Sequence, residues 1–216
     1  MFEFHQVKYK GVVDIPDLNI DHGLTVLMGE SGSGKTTVLR LLNKMISPTQ
    51  GRLLFEGKDL KQIPSVAHRR KVLLLSQSPV MFDGNIRDNL TMAFRFQGKV
   101  GPEVEALDEI LTRVRLNKNL DTPVQQLSGG EKQRLALGRV LLLDPAVYLL
   151  DEPSSALDDH TEDTIIKLIA EHLKTNGKSA VMVTHTRLMA EKYADEIIEM
   201  AEGKILNRRA RNEWDY

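Results

Sequence analysis

The sequence predicts an α/β fold, a mainly parallel sheet covered on both faces, with helices inserted in the middle of the chain. Short apolar runs alternate with helical patterns in both halves of the 216 residues, as they do in parallel sheets. Strand patterns disappear between residues 79 and 143, and the length suits one domain. We therefore expect a core formed by residues 1–78 and 144–216, and a helical subdomain formed by residues 79–143.

Apolar spacing predicts the elements of the first half. Residues 1–20 alternate loosely, with Phe2, Phe4 and Val7 apolar, which is typical of edge strands. Buried apolar runs and one stretch of helical spacing follow them. The strands expected here cover residues 24–28, 51–56 and 71–76, and a helix begins near Lys35.

The second half begins with helical patterns and returns to strands. Pro102 precedes an amphipathic pattern, and Gly177 is a stop signal for a long helix. Arg208, Arg209 and Arg211 predict a solvated end, with a binding role as the alternative. The helices expected here cover residues 104–114, 128–143 and 159–175, and the strands cover residues 147–150 and 180–184.

Composition excludes several classes of protein. The net charge of -1 gives no general attraction to nucleic acid, so no nucleic-acid partner is expected. The absence of cysteine excludes disulfides and thiolate metal sites. The longest apolar stretch, residues 140–150, is interrupted by Asp144 and Pro145, and the first residues do not resemble a signal peptide. We expect a cytoplasmic protein; if it works at a membrane, another chain must hold it there.

Residues 29–36 match the phosphate-binding motif G-x-x-x-x-G-K-[ST] between a predicted strand and a predicted helix. Its glycines let backbone N–H groups converge on phosphate oxygens, and the helix dipole points the same way. Lys35 adds charge for the β- and γ-phosphates, and the Thr36 hydroxyl is placed to ligate Mg²⁺. The alternative is a glycine-rich turn with an unrelated lysine. The nucleotide-binding residues expected here are Gly29, Glu30, Ser31, Gly32, Ser33, Gly34, Lys35, Thr36 and Thr37.

Two carboxylates, Asp151 and Glu152, follow the buried strand predicted at residues 147–150. Ligands of open α/β sheets bind at the carboxyl ends of strands. We expect Asp151 to hold Mg²⁺ through water and Glu152, which points the other way, to face the γ-phosphate. There a carboxylate can orient a water and accept its proton. The alternative is an acidic strand end without a catalytic role. With the phosphate loop, the pair predicts a hydrolase of nucleoside triphosphates that uses Mg²⁺.

Residues 127–131, Leu-Ser-Gly-Gly-Glu, followed by Lys-Gln-Arg, resemble the signature motif of the ATP-binding cassette (ABC) family. The resemblance covers nearly the whole chain, and it implies a P-loop NTPase (RecA-like) core, an N-terminal antiparallel β subdomain and an inserted α-helical subdomain. Ser-Gly-Gly before a helix is also a second anion-binding helix start. Cassettes of this family pair head to tail, with ATP between one phosphate loop and the partner's signature motif. The signature residues expected to contact ATP are Ser128, Gly129, Gly130 and Glu131.

The resemblance also implies roles for residues outside these motifs. Gln77 matches the family's glutamine that contacts Mg²⁺ and the attacking water, and His185 matches the switch histidine that contacts the γ-phosphate. Residues 154–158, which end in Asp158, resemble the D-loop that reaches across the dimer. Tyr9 matches the aromatic residue that stacks on adenine.

Two positions depart from the family's pattern. Alanine is usual where this chain has Gly138, and an acidic residue commonly stands where it has Thr186. Neither change removes a catalytic group. The expected catalytic residues are Glu152, His185, Gln77 and Lys35, and the expected Mg²⁺ ligands are Thr36, Gln77 and Asp151.

The segment from residue 77 to residue 90 resembles exporter-type cassettes, including a stand-alone group linked to metal-ion (iron) efflux. A membrane partner's cytoplasmic helix docks on this region in the family, and Phe82 is the expected anchor unless it only packs the subdomain. The resemblance implies a subunit that powers a separate integral membrane permease on the inner face of the membrane, through ATP-driven dimerisation with a second copy. The alternative is a soluble ABC-type ATPase in DNA repair, translation or regulation. Those relatives typically carry two cassettes or a long coiled coil.

Overall fold

Two β-sheets form the framework of this protein in a computed structural model, which describes residues 1–155 and 157–211 except for the side chain of Asp159. The first sheet has four antiparallel strands in the order β2-β1-β4-β5, and the second has six in the order β10-β9-β3-β8-β7-β6. The strands are β1 (Phe2–Tyr9), β2 (Val13–Ile20), β3 (Leu24–Met28), β4 (Gln50–Phe55), β5 (Lys58–Asp59), β6 (Val72–Leu75), β7 (Val147–Asp151), β8 (Ser179–Val183), β9 (Glu196–Ala201) and β10 (Lys204–Ala210).

The six-stranded sheet confirms the predicted α/β class. Five of its strands run parallel to their neighbours, and only β10 is antiparallel, to β9. Strand β3 is buried on both faces: Val26 points into one hydrophobic core and Leu27 into the other. Double burial explains why this strand is a continuous apolar run.

The four-stranded sheet is the expected N-terminal antiparallel subdomain, but the prediction that residues 1–20 form edge strands is wrong for β1. Phe2 pairs with Ile20 of β2 on one side and with Phe55 of β4 on the other. Alternating apolar residues report that one face of a strand is covered, and they carry no information about the number of its neighbours.

Seven helices cover the sheets within the described part of the chain. They are α1 (Lys35–Leu42), α2 (Ser65–Lys71), α3 (Ile86–Phe96), α4 (Val104–Arg113), α5 (Gly129–Leu143), α6 (Asp159–Asn176) and α7 (Arg187–Tyr193). The core that contains Leu27 lies around α1, between the two sheets, and the core that contains Val26 includes buried residues of α3, α4, α5 and α6. Helices α3 to α5 all lie between β6 and β7 in the sequence.

Helix α3 is one of the elements that apolar spacing did not predict. Only three of its eleven residues are buried. A capping box starts it instead, because Asn85 accepts from the Asp88 N–H at 2.9 Å and Asp88 accepts from the Asn85 N–H at 3.1 Å. Polar capping residues therefore mark the start of this helix.

The predicted solvated end is confirmed in part, because Arg208 and Arg211 are exposed. Arg208 and Arg209 lie in β10, which pairs with β9 as a hairpin. Arg208 forms an ion pair with Glu196, and Arg209 forms one with Glu199 at 3.0 Å. These arginines pair across the hairpin, so their charge is partly neutralised within the chain.

Parallel strands bring four loops to one edge of the six-stranded sheet. Strands β3, β6, β7 and β8 run in the same direction, so their carboxyl ends lie side by side. The loops that follow them begin at Gly29, Ser76, Glu152 and Thr184. We call this row of loops the carboxyl edge, and it carries the candidate site.

Candidate active site

The phosphate loop lies between β3 and α1, as predicted, and its shape depends on glycine. Gly29 has φ 143°, and a Cβ there would lie 2.1 Å from the Met200 carbonyl oxygen. Gly34 has φ 101° and directly precedes α1. L-residues rarely adopt these dihedrals, so both positions need glycine. The first N–H groups of α1 have no partner within the helix and are available to an anion.

Lys35 is buried inside this loop. Its ammonium donates to the carbonyl oxygens of Gly29 at 2.8 Å and Glu30 at 2.7 Å, and to the Ser33 hydroxyl at 3.2 Å. Burial lowers the pKa of Lys35, and the charges of Glu152 and Asp151 oppose that shift. The loop therefore holds a positive charge within electrostatic reach of both carboxylates.

Asp151 and Thr36 meet across the carboxyl edge. The Thr36 hydroxyl donates to Asp151 Oδ1 at 3.2 Å, and Asp151 is buried at the end of β7. Burial raises the pKa of Asp151, while the Thr36 hydrogen bond opposes the shift. One hydroxyl and one carboxylate suit Mg²⁺, which usually takes one or two carboxylates and completes its shell with phosphates and water.

The Glu152 carboxylate accepts hydrogen bonds from side chains of two neighbouring loops. Gln77, after β6, donates to Glu152 Oε2 at 2.7 Å, and His185, after β8, donates to Glu152 Oε1 at 2.7 Å. The two adjacent carboxylates therefore have separate partners, because only Asp151 is bonded to Thr36. Glu152 has φ 51°, in the left-handed region, where a non-glycine residue is uncommon and often belongs to a functional site.

Gln133 is a contact of this site that sequence reasoning missed. Its amide donates to the Glu152 carbonyl oxygen at 2.6 Å, and its side chain is buried. The same carbonyl accepts from Ser155 N–H at 3.3 Å and Ser155 Oγ at 3.2 Å. These bonds hold the unusual Glu152 backbone. A polar residue on the buried face of a predicted helix was the available signal.

The signature residues lie at the amino end of α5, away from the groups described above. Ser128 caps the helix, accepting from the Glu131 N–H at 3.3 Å, and Glu131 accepts from the Ser128 N–H at 2.8 Å. That backbone bond lowers the pKa of Glu131. Gly129 is exposed and Gly130 partly exposed. Among the described residues, no hydrogen bond or ion pair joins these four residues to the phosphate loop.

Tyr9 and Asp158 do not contact the catalytic groups directly. Tyr9 is half-buried at the end of β1, and the turn after it reaches the phosphate loop, since a Cβ on Gly34 would lie 3.2 Å from the Val12 carbonyl oxygen. Asp158 caps α6 and accepts from Thr161 N–H at 3.0 Å and Thr161 Oγ1 at 2.7 Å. Ala156, in the predicted D-loop, lies outside the described residues.

Comparison with known proteins gives a family match over most of the chain. A family model described as "ABC transporter" matches residues 15–155. The chain is 40% identical over 192 residues to Protein STAR1 of Oryza sativa subsp. japonica, covering 88% of this chain and 55% of that protein. It is 38% identical over 201 residues to Fe(3+) ions import ATP-binding protein FbpC 1 of Haemophilus influenzae, with coverages of 91% and 60%. The chain thus spans little more than half the length of these two relatives.

A relative of similar length is also matched. The chain is 33% identical over 205 residues to Putative hemin import ATP-binding protein HrtA of Staphylococcus epidermidis, covering 89% of this chain and 90% of that protein. Among solved structures, cbiO1 from Clostridium perfringens, part of the ABC transporter complex cbiONQ, has a TM-score of 0.83 at 26% identity, covering 98% of this chain and 89% of that one. The ATP-binding cassette MJ0796, a dimer bound to ADP and Pi, has a TM-score of 0.85 at 24% identity, covering 98% and 99%.

Proposed function

The chain belongs to the ABC transporter family, whose model matches more than half of it, and from that membership we propose that it binds and hydrolyses ATP to power a separate membrane permease. The observation that carries the proposal is the Glu152 carboxylate, which Gln77 and His185 hold at the carboxyl edge. The Glu152 carboxylate lies next to Asp151 and within electrostatic reach of the buried Lys35 ammonium. A carboxylate next to a phosphate-binding loop is what hydrolysis of a nucleoside triphosphate requires.

Binding of ATP uses the phosphate loop and one aromatic residue. The residues of the phosphate loop, from Gly29 to Thr37, surround the phosphates, with Lys35 turned from its loop carbonyls towards the β- and γ-phosphates. Tyr9 stacks on the adenine, because the turn that follows it abuts the loop. Bound Mg²⁺ would neutralise phosphate charge, and Thr36, Gln77 and Asp151 would hold it through oxygen atoms.

Hydrolysis uses Glu152 as the general base. Its carboxylate orients a water and accepts a proton as the water attacks the γ-phosphorus, and the leaving group is ADP. His185 donates to a γ-phosphate oxygen, where negative charge is held during transfer. Gln77 contacts the same water through its amide. The bonds that Glu152 makes with both residues support this assignment, since all three side chains already converge at one point.

A second copy of the chain completes the site. The exposed amino end of α5, with Ser128, Gly129, Gly130 and Glu131, supplies N–H groups for the γ-phosphate bound by the partner's loop, and Asp158 reaches across the same interface. Head-to-tail pairing then forms two equivalent sites in a closed dimer. The exposure of this helix start, and its lack of bonds to the phosphate loop among the described residues, support the pairing.

The permease docks on the helical subdomain, residues 79–143, while residues 1–78 and 144–216 form the catalytic core. Val80 and Phe96 are exposed by 67% and 68% and offer an apolar surface. Phe82 supports the packing alternative more than the anchor role, because it is half-buried, lies 5.5 Å from the Phe96 ring and stacks under Arg139 at 5.2 Å. We expect Phe96 to be the anchor.

Such docking would place the protein on the inner face of the cell membrane. No helix among residues 1–155 and 157–211 is long and apolar enough to cross a membrane. The proposal therefore assigns membrane attachment to the permease. The exporter-like pattern of residues 77–90 stays a prediction.

Replacing Glu152 tests the function. Glu152→Gln keeps the shape of the side chain and its bond to His185 but cannot accept a proton, so ATP hydrolysis should fall by about 10²–10⁴-fold. ATP should still bind, and the variant should accumulate as a dimer in size-exclusion chromatography with ATP and Mg²⁺. Glu56→Gln, at an exposed site in the turn between β4 and β5, is the matched control. A variant that hydrolyses ATP at the wild-type rate would remove Glu152 as the base.

A further inference from the structure

The loops after β7 and β8 are connected twice by side chains. The first connection is the bond between Glu152 and His185. The second runs through Glu162, in the first turn of α6. Its carboxylate accepts from the Ser154 hydroxyl at 2.8 Å and from the Thr186 hydroxyl at 3.1 Å on both oxygens. One carboxylate thus joins the residue two positions after Glu152 to the residue directly after His185.

The setting of Glu162 suits a fixed connection. Ser154 is 3% exposed, and the Thr186 N–H donates to Thr184 Oγ1 at 3.1 Å, so both hydroxyls sit on restrained backbone. An ionised carboxylate only accepts hydrogen bonds and has room for several donors. Helix α6 is 18 residues long, with buried apolar residues on one face. Glu162 therefore projects from a rigid element into the junction of two loops.

A small cavity separates Glu162 from the reacting groups. Glu152, His185 and Glu162 all line this cavity of about 260 Å³, and no hydrogen bond joins Glu162 to either of the other two among the described residues. In the proposed reaction, Glu152 and His185 use the atoms that now bond each other to bind water and phosphate. The connection through Glu162 uses none of those atoms, so it persists while the first connection opens.

From this geometry we infer that Glu162 is a positioning residue, which sets the distance between the Glu152 and His185 loops during hydrolysis. The inference rests on the proposed function. It also accounts for the departure at Thr186, where the family commonly has an acidic residue. In this chain the carboxylate comes from α6, and position 186 supplies the hydroxyl that binds it.

Substitutions of Thr186 distinguish the contribution of its hydrogen bond to Glu162 from the contribution of its packing. Thr186→Val keeps the shape and removes the donor, so kcat should fall about tenfold with KM for ATP changed by less than twofold. Thr186→Ser keeps the donor and loses a methyl group, and it should restore most of kcat. Thr175→Val, an exposed threonine on α6, is the matched control. If Thr186 only fills space, kcat should be lower in Thr186→Ser than in Thr186→Val, and the melting temperature of Thr186→Ser should fall.

A double-variant cycle tests whether Glu162 acts through Thr186. Glu162→Gln should lower kcat to a similar extent, and Glu162→Gln with Thr186→Val should be no slower than the worse single variant. Glu171→Gln on the same helix is the control. If the losses in the double variant are additive, or if kcat is unchanged in Thr186→Val while the wild type is active, the role of Glu162 is contradicted. The proposed function is not affected by either result. A wild type that hydrolyses no ATP overturns the proposed function and this inference with it.

Discussion

The carboxyl edge and the amino end of α5 are both suited to bind phosphate, but among the described residues the groups of the first are bonded across separate loops, whereas Ser128 and Glu131 of the second bond only within their own helix start and to Lys118. At the edge, Lys35 and Asp151 are buried, and Glu152 is bonded from the two neighbouring loops. At α5, Ser128 and Gly129 are exposed, and the hydroxyl of Ser128 is used by its own helix. This difference supports the proposal that the first is a preassembled half-site and that the second needs a partner.

The largest loss of ATP affinity is expected at the preassembled half. Lys35→Ala removes the buried cation of the phosphate loop, so ATP affinity should fall about 100-fold, the cost of losing charged hydrogen bonds to phosphate. Titration with ATP and Mg²⁺ measures the loss. Lys58→Ala, an exposed lysine in β5, is the control. Wild-type affinity in Lys35→Ala would contradict the assignment of the loop.

The second prediction concerns a variant that disrupts the amino end of α5 and leaves the carboxyl edge intact. A Cβ on Gly129 meets nothing within 4 Å, and an aspartate at a helix start favours folding. Gly129→Asp should therefore bind ATP normally but lose hydrolysis by about 100-fold, because its carboxylate repels the partner's γ-phosphate. Gly101→Asp, also in the helical subdomain, is the control.

Mixing the two inactive chains sharpens this second prediction. A dimer of Lys35→Ala with Gly129→Asp contains one site in which both the loop and the signature motif are intact. Hydrolysis should return in the mixture to a substantial fraction of the wild-type rate. If each chain carried a complete site, the mixture would stay as inactive as its components.

The third prediction concerns Gln133, the residue through which α5 contacts the carboxyl edge. Gln133→Met keeps the volume and removes the bond to the Glu152 carbonyl oxygen. Because Ser155 still bonds that carbonyl, we expect kcat to fall about tenfold with unchanged ATP affinity. Steady-state ATPase kinetics measure it, and Gln126→Met, an exposed glutamine before α5, is the control. A change in KM alone would contradict a role in positioning Glu152.

A smaller loss of ATP affinity is expected at Tyr9, on the border of the preassembled half. Tyr9→Ala removes the ring proposed to stack on adenine, and ATP affinity should fall about tenfold, within the range of single stacking contacts. Tyr9→Trp should retain the affinity. Binding of ATP compared with inorganic triphosphate checks the assignment, since only ATP has a base. An equal loss for both ligands would mean that Tyr9 acts on the shape of the loop.

The parts of the site that are contiguous in sequence were predictable from the sequence. The contacts between segments that are distant in sequence were not. The phosphate loop and the end of β7 were found because each is a short run whose chemistry follows from its own residues. Gln133 and Glu162 were missed because a glutamine or glutamate on a helix is common and usually solvated. Helix α3 and the β9–β10 hairpin were not predicted; three of the eleven residues of α3 and none of the seven residues of β10 are buried.

By itself, the sequence determined the α/β class, the phosphate loop with its Lys35 and Thr36, and the acidic end of β7. Only the tertiary structure decided which groups meet. Glu152 bonds Gln77, 75 positions away, and His185, 33 positions away, while Thr36 bonds Asp151 across 115 positions. The physical reason is the order of the parallel strands. Neighbours in a sheet are set by long-range packing, whereas a loop's dihedral preferences are local.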